Sequence, residues 1–386
     1  MKILYVTKAV KPNKGGSVSI SENLIKHFKS DEMVVLGSRR LFTKKFKRNY
    51  HDSDVKFYYQ FGEVNYKGKG DRFLVPIRYL LFPFLIMRII RVYKQEKCDY
   101  ILANFPDIFY CYSAYLAARY LGARFSTYFH NTYLENRPNG HRGFFARKWQ
   151  PKIFDFSENI FVVSEGMRRF YSSLYDSKYN FITLPHTHNY QLKAPINKNI
   201  SRPVKFVLIG NFNESNIDAT KRVIDALKNN VEYELFLYTH VHNILLKSRG
   251  LDVSAIKNMG FIDESKLIDE IRKYNIGILT HGFTGGYSQV EYQTIFPTRT
   301  IPLLLAGIPL FVHSPSNSFL TQFIRDNNCA ELVMESDHNR IRVTIDKLIN
   351  NTSRQEQIVN NALQAAKIFD GEKVAASLKA QIKGFD

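Results

Sequence analysis

Cysteine is scarce in this sequence of 386 residues. The three cysteines, Cys98, Cys111 and Cys329, lie far apart, are odd in number and form no Cys-x-x-Cys pair. This pattern excludes a disulfide scaffold, and no cysteine or histidine pair has the spacing of a zinc site. A reducing compartment such as the cytosol is the expected location.

Long apolar runs are also missing. A membrane-spanning helix needs roughly 18 to 20 consecutive apolar residues. The nearest candidate, residues 73–93, is interrupted by three arginines and a proline. The apolar stretch in residues 1–10 is too short for a signal peptide and contains Lys8. We therefore expect a cytoplasmic protein that does not span a membrane.

Acidic residues are few relative to basic ones. The chain has 54 Lys and Arg against 35 Asp and Glu, which gives a formal charge of +19. Such a chain prefers nucleic acid, an anionic membrane or phosphate-bearing substrates. Zinc-finger and RNP-type patterns are absent, so no nucleic-acid partner is expected. Basic and aromatic residues alternate at 39–48 and 142–152, near a further basic segment at 72–91, which favours an anionic membrane surface or a lipid-linked substrate. A solvated basic face is the alternative.

Short runs of β-forming residues alternate with helical patterns in both halves of the sequence. Strands are predicted at 2–7, 33–36, 55–59, 100–103, 125–129, 159–163, 205–209, 233–238, 276–280 and 309–312. This alternation indicates parallel sheets covered by helices, and a polar, proline-containing stretch at 190–203 separates the halves. We predict an α/β protein with two Rossmann-like, doubly wound domains, 1–190 and 203–370, that face each other across a cleft. A final helix at 371–386 can pack back on the first domain.

Two candidate ligand contacts in the first half follow predicted strands, where α/β folds bind ligands. Gly15 and Gly16 precede a helix, so the backbone can approach a ligand there and the helix N-terminus favours phosphate. The full GxGxxG pattern of NAD-binding proteins is absent. His130 could hydrogen-bond or exchange a proton with a sugar hydroxyl or a phosphate. An ordinary turn and a structural histidine are the alternatives.

The second half contains a similar arrangement. Gly210 and Asn211 end a predicted strand, and Lys221 and Arg222 lie on the next helix. Backbone amides and cations in this pattern suit a pyrophosphate, although an ordinary turn with exposed basic residues has the same sequence pattern.

The stretch from residue 276 to residue 313 is the richest in candidate ligand contacts. A strand is followed by the glycine-containing loop HGFTGGYSQ and then by FPTRTIPLLLAGIPLFVH. The loop can wrap a small ligand, and Arg299 would open the next helix, where its guanidinium can bind phosphate through two hydrogen bonds.

Four stretches, in this order, resemble the GT-B glycosyltransferases, in particular the large retaining family related to glycogen synthase and to bacterial capsule and lipopolysaccharide transferases. They are KPNKGGSVSISENLIKHF, FVVSEGMRRFY, FVLIGNF, and MGFIDESKLIDEIRKYNIGIL followed by FPTRTIPLLLAGIPLFV. The resemblance implies that the substrate is a nucleotide-sugar donor and that no separate cofactor is needed. It places Gly16 beside the donor diphosphate, His130 on the donor sugar and Arg299 on a phosphate. The expected donor contacts are Gly15, Gly16, Gly210, Asn211, Arg222, Phe261, Ile262, Gly285, Gly286, Thr298 and Arg299.

Two positions depart from the family pattern. Pro302 stands five residues before Gly307, where the family usually has a glutamate that holds the ribose hydroxyls. Asn211 replaces the basic residue that usually follows the glycine matched by Gly210. Either the ribose is held differently here, or the donor differs from the common UDP- and GDP-sugars.

We expect a bacterial enzyme of polysaccharide biosynthesis that transfers a sugar to a cell-envelope glycan or a lipid-linked acceptor, peripherally at the inner membrane face. The resemblance implies retention of configuration, with His130 positioning the sugar. An inverting enzyme needs a base, for which His130 and Glu165 are the candidates. No metal is expected, because no Asp-x-Asp motif lies in a plausible site. A sugar-nucleotide epimerase of the same fold and a non-catalytic glycan- or membrane-binding relative are the alternatives.

Overall fold

The computed structural model describes residues 1–13, 15–40, 51, 53–63, 75–136, 140–191, 193–195, 200–284 and 288–384. The chain divides into two compact units. Unit 1 comprises Met1–Asn189 together with Phe369–Asp386, and unit 2 comprises Tyr190–Ile368. Each unit contains a parallel β-sheet flanked by helices.

The sheet of unit 1 has central strands that are apolar and buried on both faces. Its strands are β1 (Ile3–Val6), β2 (Met33–Arg40), β3 (Lys56–Glu63), β4 (Tyr100–Phe105), β5 (Arg124–Phe129), β6 (Ile160–Val162) and β7 (Phe181–Thr183). The helices that alternate with them are α1 (Gly16–Ile25), α2 (Val75–Gln95), α3 (Ile108–Leu121), α4 (Gly140–Phe156) and α5 (Glu165–Leu174). Every residue of β1 and β4 is buried, as expected for parallel strands covered by helices on both sides.

Unit 2 repeats this plan. Its strands are β8 (Val204–Ile209), β9 (Tyr233–Tyr238), β10 (Lys257–Gly260), β11 (Ile276–Thr280), β12 (Leu310–His313) and β13 (Glu331–Val333). Its helices are α6 (Ile217–Leu227), α7 (Asn243–Ser248), α8 (Glu264–Ile271), α9 (Gln289–Thr294), α10 (Thr300–Leu305), α11 (Phe319–Asn327), α12 (His338–Ile349) and α13 (Thr352–Ala366). The predicted α/β class with two Rossmann-like parallel sheets is confirmed.

The order of the strands indicates where a ligand is expected to bind on each sheet. The orders are β3-β2-β1-β4-β5-β6-β7 in unit 1 and β10-β9-β8-β11-β12-β13 in unit 2. The chain therefore changes direction along the sheet between β1 and β4, and again between β8 and β11. In open parallel sheets, ligands bind at the carboxyl ends of the strands beside such a reversal.

The helix α14 (Gly371–Lys383) completes unit 1 from the far side of the sequence. Lys379 Nζ, on α14, donates to the carboxylate of Glu32 at 2.7 Å and to the carbonyl of His27 at 3.1 Å. Its apolar side chains enter the core of unit 1, and these are Val374, Ala375, Leu378 and Ile382. Unit 1 therefore requires residues on both sides of unit 2.

Candidate active site

A chain of hydrogen bonds crosses the carboxyl edge of the unit 1 sheet. The hydroxyl of Thr7 accepts from the backbone N–H of Ala9 at 2.9 Å and donates to Oδ1 of Asn104 at 3.1 Å. Nδ2 of Asn104 donates to Nε2 of His130 at 2.8 Å and to the carbonyl of Tyr128 at 3.4 Å. The structure thus joins the predicted His130 to two partners that the sequence analysis missed.

His130 is an uncharged imidazole in a buried position. Only 2% of the residue is exposed, and its ring packs edge-on against Tyr128 with the centroids 4.4 Å apart. Burial lowers the pKa of His130 well below its ordinary value, and His186 lowers the pKa further. Within the part of the chain that the structure describes, Nδ1 of His130 has no hydrogen-bond partner. This nitrogen is the one polar atom of the ring that is left unsatisfied.

The glycine turn that follows β1 leads directly into α1. Gly15 has a φ of 133° and precedes the first residue of the helix, Gly16. A φ in this range strongly favours glycine. No acidic residue lies in the first turn of α1, so the partial positive charge of the helix N-terminus is not neutralised there. This geometry suits the predicted phosphate contact, which stays a prediction.

Arg299 lies at the chain reversal of the unit 2 sheet, half-buried beside the turn after β8. Its Nη2 donates to the carbonyl of Thr280 at 2.6 Å. Its Cδ is 3.2 Å from the place where a Cβ at position 210 would lie, and Gly210 has a φ of 108°. Glycine is therefore required at this position both by its backbone conformation and by the close approach of the arginine.

The guanidinium of Arg299 keeps its positive charge despite its burial. Burial lowers its pKa to about 10, so it stays protonated at neutral pH. No carboxylate among the described residues pairs with it or offsets the effect of burial. A cation in this state attracts an anion that can form hydrogen bonds with its fork of N–H groups.

Residues 15–185, all of them in unit 1, match the model of Glycosyltransferase Family 4. Sucrose-phosphate synthase from Thermosynechococcus elongatus aligns over 100% of this chain and 99% of its own, with a TM-score of 0.72 and 11% identity. Anabaena HepE, in complex with UDP and glucose, aligns over 99% of each chain with a TM-score of 0.70 and 13% identity. The chain therefore has the GT-B fold of these proteins.

The same architecture occurs in relatives with different activities. The lipopolysaccharide outer core galactosyltransferase WaaB, in its apo form, aligns over 100% of both chains with a TM-score of 0.66 and 12% identity. A protein described as a UDP-N-acetylglucosamine 2-epimerase from Listeria monocytogenes aligns with a TM-score of 0.60 and 12% identity, over 100% of this chain and 96% of its own. No curated protein sequence matches this chain.

Arg222 supports the glycine-containing loop. Its Nη2 donates to Oδ2 of Asp218 at 3.2 Å, and its Nε donates to Nε2 of His313 at 3.0 Å. Its guanidinium also lies over the ring of Phe283, 4.4 Å from the centroid. These contacts hold the guanidinium against the loop through Nε and Nη2, and its assignment to the donor phosphates stays a prediction. Lys221, the possible helper beside it, is exposed and bonded to Asp225.

Asp218 anchors the start of the glycine-containing loop to α6. Its Oδ2 accepts the backbone N–H groups of Phe283 at 2.9 Å and Thr284 at 3.0 Å. Burial raises the pKa of Asp218, but these amides and Arg222 outweigh burial and lower it overall. The predicted sugar contacts Gly285 and Gly286 follow directly and lie outside the described residues.

Two buried histidines border the same loop. Nε2 of His281 donates to the carbonyl of Tyr292 at 3.1 Å, and Nδ1 of His313 donates to the carbonyl of Val333 at 3.0 Å. Burial lowers the pKa of each to about 4. Both are therefore neutral at physiological pH, and their hydrogen bonds are those of single tautomers.

Glu165 is poorly suited to act as a base. Its carboxylate accepts from Arg168 at 2.6 Å, from Arg169 at 3.1 Å and from the hydroxyl of Thr183 at 2.9 Å. These bonds, that of Arg168 foremost, lower the pKa of Glu165 to about 2. A carboxylate held in this way has little affinity for a proton, so we withdraw Glu165 as a candidate and assign it to the packing of α5 on β7.

The other predicted donor contacts lie at or near the carboxyl edge of the unit 2 sheet. Phe261 follows β10 with 74% of the residue exposed, and Ile262 beside it is half-buried. Asn211 is exposed, and its carbonyl accepts from Nδ2 of Asn216 at 3.1 Å. Thr298 is half-buried in the turn before α10. The exposed ring of Phe261 can stack on a nucleobase.

Neither a metal-binding cluster nor a membrane-spanning helix occurs among the described residues. No three His, Cys, Asp or Glu side chains there are grouped so that they could hold a metal ion. None of the helices described has the length and hydropathy needed to cross a bilayer.

Proposed function

We propose that this protein is a glycosyltransferase that transfers a sugar from a nucleotide-activated donor and that Arg299 binds the donor diphosphate. The observation that carries the proposal is the guanidinium at the chain reversal of the unit 2 sheet, next to Gly210, which no carboxylate among the described residues pairs with. Phe261 supplies an exposed ring for the nucleobase. HepE, which has the same fold, is described as bound to UDP and glucose, so UDP is the first nucleotide to test.

The residues also favour retention of configuration at the transferred sugar. An inverting enzyme needs a base to activate the acceptor hydroxyl. His130 has a depressed pKa because it is buried, and the pKa of Glu165 is about 2. Neither is a strong base, whereas a retaining reaction needs mainly stabilisation of the departing diphosphate. In this proposal Arg299 supplies that stabilisation and His130 positions the sugar.

Thermal stabilisation against a panel of UDP, GDP, ADP, CMP and their sugars tests the proposal. A nucleotide that binds the folded protein at 100 times its Kd stabilises it by about 2.7 kcal/mol. We expect one nucleotide class to raise the melting temperature in a concentration-dependent way. A flat response from folded protein would contradict the proposal and favour the non-catalytic alternative.

Product analysis without an acceptor separates a transferase from an epimerase. An epimerase converts the nucleotide-sugar itself, whereas a transferase releases nucleoside diphosphate in proportion to the acceptor supplied. We expect the second result, because an epimerase needs a proton-exchanging pair and the two candidates, His130 and Glu165, are weak bases. Accumulation of an epimerised nucleotide-sugar in the absence of acceptor would overturn the assignment.

We further propose a cell-envelope glycan or lipid-linked acceptor at an anionic membrane surface, in a bacterial cell. WaaB, which shares the fold, is described as a lipopolysaccharide outer core galactosyltransferase. In unit 1 the α2 outer face (Leu80, Phe84, Met87, Arg91 and Lys94) supports a membrane contact. Its three apolar residues are 72%, 58% and 55% exposed, and both basic residues are exposed. Spacings of three and four residues place all five on one side of the helix.

Of the two basic and aromatic clusters, the structure describes mainly the one at 142–152. Most of the cluster at 39–48 lies outside the described residues, as do Lys44, Lys45 and Lys47. In the cluster at 142–152, Trp149 is buried and stacks on Tyr112 with the ring centroids 4.3 Å apart. The membrane proposal therefore rests on the α2 outer face.

Replacing Leu80, Phe84 and Met87 together by serine should weaken binding to anionic vesicles at least tenfold. Burial of one large apolar side chain contributes about 1.5–3 kcal/mol, so partial insertion of three exceeds the roughly 1.4 kcal/mol that a tenfold change requires. Vesicle co-sedimentation measures the effect. A matched control replaces two exposed apolar residues of unit 2, Val231 and Ile244, by serine and should bind as the wild type does. Equal binding by both variants would refute the proposed surface.

A further inference from the structure

We infer that Thr7 and Asn104 are positioning residues that hold His130 in a single tautomer, with its proton on Nδ1, so that this histidine offers a hydrogen bond to the ligand and cannot act as a base through Nε2. The inference rests on the proposed function, in which His130 contacts the transferred sugar. It assigns roles to Thr7, which follows β1, and to Asn104, on the neighbouring strand β4.

The hydrogen bonds of Thr7 agree with an Asn104 amide whose oxygen faces the hydroxyl. The backbone N–H of Ala9 can only donate, so the oxygen of the Thr7 hydroxyl accepts that bond at 2.9 Å. A hydroxyl has one proton of its own to give. That proton goes to Oδ1 of Asn104, 3.1 Å away, and makes Oδ1 the acceptor end of the amide.

The orientation of the Asn104 amide determines which nitrogen of His130 accepts a hydrogen bond. Its Nδ2 faces the carbonyl of Tyr128 at 3.4 Å, which can only accept, and Nε2 of His130 at 2.8 Å. Because an amide nitrogen only donates, Nε2 must offer its lone pair. A proton on Nε2 would place two donors against each other at 2.8 Å.

A neutral imidazole carries one proton, which therefore resides on Nδ1. Burial keeps His130 neutral by lowering its pKa. Nδ1 is buried and has no partner in the described part of the chain, and an unsatisfied buried donor costs about 1–3 kcal/mol. A ligand oxygen bound to Nδ1 removes that cost. Since solvent does not reach Nδ1, the ligand contact requires a neighbouring group to move aside.

Histidine tautomers can be read directly by nuclear magnetic resonance of protein labelled with ¹⁵N in its histidines. We expect the long-range ¹H–¹⁵N pattern of the Nδ1–H tautomer for His130, assigned by its loss in His130→Gln. The pattern should persist from pH 8 to pH 6. An Nε2–H pattern in the wild type would overturn the inference, whatever the activity.

Asn104→Asp tests the relay, by which we mean the hydrogen bonds from Thr7 to Asn104 and from Asn104 to His130. A carboxylate cannot donate to Nε2. His130 should then carry a proton on Nε2 and shift to the Nε2–H or doubly protonated pattern, with a higher pKa. We expect kcat to fall at least tenfold while stabilisation by UDP alone is unchanged, since Arg299 is in unit 2. Thr7→Ser keeps the hydroxyl and should retain the wild-type pattern. An unaltered His130 pattern in folded Asn104→Asp would refute the relay.

Failure of the proposed function gives a different result. If no nucleotide or nucleotide-sugar stabilises the protein, the proposed function is wrong, yet the wild-type spectrum still decides the tautomer. If a nucleotide-sugar binds and His130 is protonated on Nε2, the proposed function stands and the relay is wrong. Should Asn104→Asp fail to fold, the wild-type spectrum alone is decisive.

Discussion

Arg299→Ala should lower turnover of the nucleotide-sugar by about 10²- to 10³-fold, the usual effect of removing one group that stabilises developing negative charge. The guanidinium has no ion-pair partner among the described residues and retains its charge, since burial lowers its pKa only to about 10. Its position beside Gly210 lets it approach a diphosphate together with the backbone. Stabilisation of the protein by the nucleotide should also be lost.

Arg299→Lys separates charge from geometry. A lysine keeps the positive charge but not the planar fork that binds two phosphate oxygens at once, so its turnover should lie between those of the wild type and the alanine variant. Arg325→Ala, at an exposed arginine of α11, is the matched control and should leave turnover unchanged. Steady-state kinetics and nucleotide-dependent melting measure these effects. Near-normal values for Arg299→Ala would show that another group holds the diphosphate.

Lowering the pH from 7 to 5 should cost unit 2 about 4 kcal/mol of stability through His281 and His313, about 2 kcal/mol for each. The folded-state pKa of each is about 4 because the imidazole is buried. The unfolded chain takes up these protons below about pH 6.5. The contribution to stability is therefore fully present above pH 6.5 and is lost as the pH falls towards 4. Protonated His313 would also lose its ability to accept from Arg222.

Amide hydrogen exchange, which follows unit 2 peptides separately from those of unit 1, measures this loss at pH 7 and pH 5 after correction for intrinsic rates. His281→Gln and His313→Gln should each remove about half of the acid destabilisation that the two residues cause. His338→Gln changes an exposed histidine on α12 and should have no such effect. If the double variant loses as much stability as the wild type, the two histidines are not responsible.

The strands that were missed from the sequence share one property. The long apolar strands such as β4 and β8 could be predicted, because burial on both faces requires continuous apolar residues. The missed strands, β7, β10 and β13, have three or four residues and lie at sheet edges. An edge strand of this length is determined by its single neighbour, and β10 has the sequence KNMG, which contains no β-pattern.

The candidate site was predictable where local sequence determines it. His130 and Gly210 directly follow apolar strands, so their position at the sheet edge could be inferred. Thr7 and Asn104 are 97 residues apart and become partners only when β1 pairs with β4. A single amide within the apolar run YILANF was the available signal, because buried polar side chains need partners.

The contacts of Arg222 could not be predicted from the sequence. The sequence places a cation near a predicted phosphate site, but the cation is used by Asp218, His313 and Phe283. These partners come from a helix, a strand and a loop, and no local pattern reports that they converge.

The position of α14 sets the order in which the units can mature during synthesis. Ribosomes add roughly 5–20 residues per second, so the residues of unit 2 take about 10–40 s to make after β7 has been completed. Throughout that time the nascent unit 1 lacks the apolar side chains of α14 and the bond from Lys379 to Glu32. The part of the chain that leaves the ribosome first is thus the last to become complete, and its exposed apolar surface must be protected until residues 371–383 arrive.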